Sequence, residues 1–263
     1  MRLPMRPALA LLSLLTVAPI TAGCNVQISN QAEARSAWTR TYTLTPDGEF
    51  EIRNTNGQVR VEATDGDKVE VTADRIVRAG TEDAAKKELE RMTIDESVAP
   101  GRISLDATNK GLGFIFNLNR RVDFKVKLPR GARLSLSQTN GSVDIDGVTG
   151  LLKVETTNGS VKASGLQEGA DISSTNGAVT LDFAKVGASG IRTETTNGSI
   201  TIALPRETGA RISARVTNGG ISTGDLPITV TEQSRRRLEA TLGSGGPALK
   251  LESTNGAISL SGR

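Results

Sequence analysis

Asp144 and Asp146 stand two residues apart in "SVDIDG", as do Asp65 and Asp67 in "TDGD". On a strand, carboxylates at that spacing leave one face together, the least arrangement that would make a general acid–base pair or a weak cation site. Little else in the chain joins them. There is no histidine, which removes imidazole bases, Ser-His-Asp triads and every histidine metal ligand. The glycine-rich nonapeptide that binds calcium in some β-helices is also missing. Solvated strand and turn positions are the simpler reading of all four aspartates. No catalytic residue, metal site or cofactor is expected.

The one thiol, Cys24, sits in a different context. "MRLPMR" is followed by the apolar run "ALALLSLLTVAPI" and by "TAGC", which is the charged, hydrophobic and small-residue order of a secretion signal, too short to span a bilayer. Ile20-Thr21-Ala22-Gly23-Cys24 resembles the bacterial lipoprotein lipobox, although Thr21 stands where Leu is commoner. The resemblance implies that residues 1–23 are removed and that Cys24 is acylated as the new N-terminus, anchoring the chain to a membrane. No thiol would then remain for disulfides, thiolate metal sites or cysteine catalysis. Residues 24–36 are polar and aperiodic and read as a tether, spanning on the order of 20 Å if flexible. Asn25 follows the cysteine where, by resemblance to Gram-negative lipoproteins, Asp would signal inner-membrane retention. The expected location is therefore the cell envelope, at the outer membrane.

Loss of Arg2 and Arg6 with the signal leaves 30 basic against 29 acidic residues. The basic pI thus says little about nucleic acid, and with aromatics at 3% the stacking platforms of single-strand binders are lacking as well. Nucleic-acid binding is excluded. A core must be built from Val, Ile, Leu and Ala, which suits a narrow, regular β interior.

The elements that carry these residues repeat. Thr-Asn-Gly recurs with its last two residues at Asn56 and Gly57, Asn140 and Gly141, Asn158 and Gly159, Asn176 and Gly177, Asn197 and Gly198, Asn218 and Gly219, and Asn255 and Gly256. The five central copies are spaced by 18, 18, 21 and 21 residues. Three positions after each Asn stand Val59, Val143, Val161, Val179, Ile200, Ile221 and Ile258; four before stand Ile52, Leu136, Val154, Ile172, Thr193, Ala214 and Leu251. Period-two patterning on both sides of a bend makes each copy strand, Asn-Gly bend, strand. Asn tolerates a left-handed conformation and Gly carries no Cβ penalty there. Two architectures use such a step: an antiparallel β-meander of type I′ hairpins, or a β-solenoid whose successive corners stack. The sameness of the copies favours the solenoid, in which Thr157, Thr175 and Thr196 and the asparagines after them would form ladders along the axis. The expected fold is all-β, a single-domain, parallel β-helix-like solenoid over residues 37–263.

These residues resemble the bacterial putative-adhesin family of unknown function, whose members repeat T-N-G-x-[IV]-x-[IV] along a β-solenoid-like domain. The likeness runs from "GEFEIRNTNGQVRVEATDGDKVEV" through "RVDFKVKLPRGARLSLSQTNGSVDIDGVTG" to "LGSGGPALKLESTNGAISLSGR". It implies the fold and brings no catalytic residues.

Two segments interrupt the repeat. "TEDAAKKELERM", residues 81–92, begins at an N-cap Thr81 with acids in its first turn and places Ala85, Leu89 and Met92 on one face, which predicts a helix covering a sheet edge. "KGLGFIFNLNRRVDF" places Phe114 and Phe116 on one strand face, read as core beneath that helix, with an exposed contact patch as the alternative. Together these readings describe a lipid-anchored, non-enzymatic envelope protein. Its ladder faces would serve binding, adhesion or envelope-stress scaffolding toward a polysaccharide or protein ligand. A carbohydrate-active enzyme on a β-helix is the rival class, and self-association through an uncapped end a further possibility. Replacing the only thiol, Cys24→Ser, is expected to abolish acylation; an unchanged N-terminal mass and unchanged detergent partitioning would contradict the anchor.

Overall fold

The computed structural model describes residues 32–108 and 118–263. The signal segment, Cys24, Phe114 and Phe116 lie outside them. A strand begins at Ala32, inside the span read as a tether.

Among the described residues, the strands form two sheets of eleven and ten strands. Each copy enters its corner from the first, here the entry sheet, and leaves into the second, the exit sheet. Leu152–Asn158, for example, pairs parallel with Arg133–Asn140 on one side and Ala170–Asn176 on the other, with Asn158 opposite Asn140 and Asn176. After the corner, Val161–Leu166 pairs parallel with Val143–Asp146 and Val179–Phe183. A meander would have paired the two arms of one copy antiparallel; here like pairs with like, and the solenoid is the fold.

Stacking puts equivalent residues in rows. Ile52, Leu136, Val154, Ile172, Thr193, Leu251 and Ala214 form one buried row of the entry sheet, and Val59, Val143, Val161, Val179, Ile200 and Ile258 line the exit sheet opposite. Ile221, at the last corner, is half-buried. Phe50, Phe124 and Phe183 are buried within the same core. The aliphatic interior removes a continuous strip of apolar surface from water, which is the main favourable term for such a stack.

The stacking order departs from chain order. The expected succession places Asn218 on Asn197, but the last copy lies between them: Ala248–Asn255 pairs with Ile191–Asn197 on one side and Ala210–Asn218 on the other. The outer edge of Ala210–Asn218 is already taken, antiparallel, by Arg237–Leu242, which pairs in turn with Ile228–Gln233. The inner edge is what remains for the final copy. At the opposite end the chain also turns antiparallel, with Ala32–Thr43 against Lys68–Ala79 and Asp95–Ala99 against Arg102–Ala107. The helix forms over Glu82–Arg91, where the Thr81 hydroxyl accepts from the Ala84 amide, and packs on the first two of these strands. Ala85 and Met92 are buried and Leu89 is half-buried, while Glu88, also buried, is held by Arg120 and Arg91.

The corner differs from the expected left-handed turn. Each Asn is the last residue of its strand, in parallel register with its neighbours, and the bend falls on Gly. Glycine is required there because the stacked backbones touch. A Cβ on Gly159 would lie 1.9 Å from the Gly141 carbonyl oxygen, and one on Gly177 would lie 2.0 Å from that of Gly159. The same contact recurs at Gly141, Gly198, Gly256 and Gly219, each against the corner glycine one copy along. Gly159→Ala is therefore expected to cost about 2–3 kcal/mol or more through overpacking, whereas Gly80→Ala, which meets nothing within 4 Å, should stay within about 0.5 kcal/mol of the parent in chemical denaturation.

Candidate functional site

The corner asparagines form one continuous amide ladder. Asn140 Nδ2 donates to Asn56 Oδ1 at 2.8 Å, Asn158 to Asn140 at 2.9 Å, Asn176 to Asn158 at 2.8 Å and Asn197 to Asn176 at 2.8 Å. Asn255 then donates to Asn197, and Asn218 to Asn255, both at 2.8 Å. All six bonds run in one direction, so each interior amide gives one hydrogen and accepts one. The corner backbones pair in the same step, for instance Gly159 N to Asn176 O at 2.9 Å. Just inside lies a second polar row, Asn54, Gln138, Thr156, Ser174, Thr195 and Ser253, all buried. Gln138 Nε2 donates to Gly57 O at 2.6 Å and Ser253 Oγ to Gly198 O at 3.1 Å, so this row serves the glycine carbonyls. Thr156 and Ser174 hydroxyls, by contrast, are buried without a partner.

The threonine before each Asn points the other way. Thr139, Thr157, Thr175, Thr196, Thr254 and Thr217 follow one another across the entry sheet's outer face, and all six are exposed. None of these hydroxyls bonds another described residue, in contrast to the inter-threonine ladder anticipated for Thr157, Thr175 and Thr196. At the strand spacing of about 4.8 Å they form a straight row of free donors and acceptors. Beside them runs a charged row containing Arg53, Glu155, Glu194, Glu252 and Arg215.

Two grooves open along this face. The larger, about 580 Å³, has Thr175, Thr196, Thr254 and Thr217 on its floor, Glu194, Glu252 and Arg215 beside them, and Arg236 and Arg237 at its rim. The rim is fixed: Val216 N donates to Arg236 O at 2.9 Å, and the Ser234 hydroxyl accepts from the amides of Arg236 and Arg237. The smaller groove, about 370 Å³, is lined by Glu51, Arg53, Asn54, Thr108, Thr139, Lys153 and Glu155, among others. Burial raises the proton affinity of Glu51, but hydrogen bonds from Arg102 (2.8 Å) and Arg53 (2.7 Å) outweigh it and hold the carboxyl below its ordinary value.

The carboxylate pairs stand elsewhere. Asp144 and Asp146 share the outer face of the exit sheet with Arg60, Glu62 and Lys162. Asp144 accepts from Gln58 Nε2 at 3.2 Å and Asp146 from Ser164 Oγ at 2.7 Å. Asp65, 94% exposed, faces Arg130 at a turn. Among the described residues, no group of three or more acidic, His or Cys side chains could hold a metal ion. The sole Trp and Tyr are at the far end: Arg40 lies over the Trp38 ring at 4.8 Å, and Tyr42 Oη donates to Glu96 at 2.6 Å, tying the edge strand of one sheet to that of the other. Burial first, and that bond second, push the Tyr42 hydroxyl pKa up. Sequence reasoning missed the rim. "SRRR", residues 234–237, was its visible signal, but only the hairpin's pairing carries those arginines over the threonine row.

Parallel sheets joined by stacked Asn-Gly corners define a β-solenoid of repeating arcs. The Toastrack DUF4097 family model matches residues 99–261, most of the chain, and the chain belongs to that family. Among solved structures it is similar to a putative cell adhesion protein from Clostridium sporogenes, at 14% identity and a TM-score of 0.51 over 87% of this chain and 100% of that one. It is also similar to a putative adhesin from Bacteroides fragilis, at 12% identity and a TM-score of 0.32 over 87% and 97%. The first likeness is one of fold. No curated protein matches the chain.

Because the folded-state pKa of Glu51 lies below the ordinary 4.5, its contribution to stability is present above that pH and fades as pH falls through the lower, folded value. Glu51→Gln should therefore destabilise at pH 7, and the gap to the parent should close in denaturation series below about pH 4. A constant gap across that range would refute the pairing.

Proposed function

We propose that the protein is a lipid-anchored component of the cell envelope whose solenoid binds rather than catalyses, with the outer face of the entry sheet as its working surface. The observation that carries this reading is the straight row of unbonded threonine hydroxyls over a rigid, laddered sheet. Such a row offers hydrogen bonds at a fixed repeat to an extended polymer lying along the solenoid axis, with little ordering cost on the protein side. The separation of the carboxylates from that row supports a non-catalytic role: Asp144 and Asp146 lie on the opposite sheet, in a separate groove of about 300 Å³ with Arg60, Glu62 and Lys162. The adhesion-related description of the Clostridium sporogenes structure accords with a place at the cell surface. The lipobox-like run ending in Cys24 supplies the anchor.

Incubating the purified full-length mature chain with envelope polysaccharides, and following both retention and chain length, tests the reading. Retention without cleavage is expected. Absence of retention would refute it, and product formation abolished by Asp144→Asn with Asp146→Asn would move the protein to the enzyme class.

A further inference from the structure

The larger groove specifies its ligand further. Its floor supplies hydroxyls only, and no aromatic side chain lines it. A neutral glycan held there would lack the apolar ring face on which its sugars usually stack, leaving neutral hydrogen bonds that exchange for water at little net gain. Charge must do what stacking does not. The charges at the rim are unequal. Arg237 faces Glu232 at 3.3 Å and Glu239 at 3.5 Å, and Arg215 shares Glu239 at 3.9 Å. Arg236 lines the groove, is exposed, and makes no ion pair or side-chain hydrogen bond with any described residue. A guanidinium held in place through its backbone and left unpaired beside a row of free hydroxyls matches a ligand that carries many hydroxyls and an occasional carboxylate.

We propose that this groove binds an acidic, uronate-bearing polysaccharide laid along Thr175, Thr196, Thr254 and Thr217, with a carboxylate of the polymer on the Arg236 guanidinium. The inference rests on the reading of this face as a binding surface and narrows its ligand class. It also assigns Glu252 a part: its carboxylate, beside the threonine row and without an ion-pair partner among the described residues, opposes an acidic polymer and sets how tightly one is held.

Polygalacturonate and its fully methyl-esterified form share one backbone and differ in charge. Titrated against the full-length protein at low salt, the acid is expected to bind at least about tenfold tighter than the ester, with the difference shrinking as salt approaches the molar range. Arg236→Ala should weaken the acid about tenfold and leave the ester unchanged, and Glu252→Gln should tighten the acid, both with the parent's melting temperature. Equal binding of the two polymers, or a folded Arg236→Ala that binds the acid as the parent does, overturns the proposal while leaving the binding surface standing. If polygalacturonate does not bind, the proposal falls, and retention of envelope polysaccharides then decides whether the broader reading falls with it.

Discussion

The stack depends on the close approach of glycine to glycine at its corners. At six of the seven corners a Cβ on the Gly would strike the carbonyl oxygen of a neighbouring corner glycine at 1.8–2.1 Å, and at Gly57 it would strike that of Val122 at 2.0 Å. This approach sets both the spacing and the register of the stack. With the corners locked in register, a strand cannot slip by one residue without driving a Cβ into a neighbouring backbone, and the inward and outward faces of both sheets are fixed together. The asparagine ladder follows from that constraint rather than causing it. Amides held at one height on consecutive strands have a single partner on each side, and six bonds of 2.8–2.9 Å result.

Identical corners have a second consequence. Because any Thr-Asn-Gly arc fits on any other, stacking need not follow chain order, and the final arc settles between two earlier ones. The row from Asn56 to Asn218 is therefore incomplete until Ala248–Asn255 is in place. The hairpin that displaces the last arc inward also raises Arg236 and Arg237 over the threonine row, so a single topological choice produces both the intercalation and the groove's rim. At the other end the helix and the Tyr42–Glu96 contact keep the edge strands from presenting an open, flat ladder.

Much of this was legible in the chain. The apolar residues three after and four before each Asn marked the two inward rows, and Thr81 with its acids marked the helix start. The reason for glycine was not legible, since a bend residue and a residue compressed between layers read alike in one dimension. The position of the last copy was hidden for a related reason: equal corners carry no ordinal. Nor did the polarity of "SRRR" reveal a rim, because that depends on which edge of Ala210–Asn218 the hairpin takes. The strand starting at Ala32 begins within a polar stretch, "AEARSAWTRTYT", whose buried side is carried by few apolar residues, so it read as tether up to residue 36.

Neighbouring corners are coupled through the amide row. Asn158 takes part in two ladder bonds and Asn176 in two, one of them shared. A double-mutant cycle of Asn158→Ala and Asn176→Ala by urea denaturation measures the shared bond, with Asn56→Ala and Asn176→Ala as the distant pair. The adjacent double variant should lose less than the sum of its singles by about 0.5–1.5 kcal/mol, while the distant pair adds within about 0.5 kcal/mol. Additivity in both pairs would contradict the coupling.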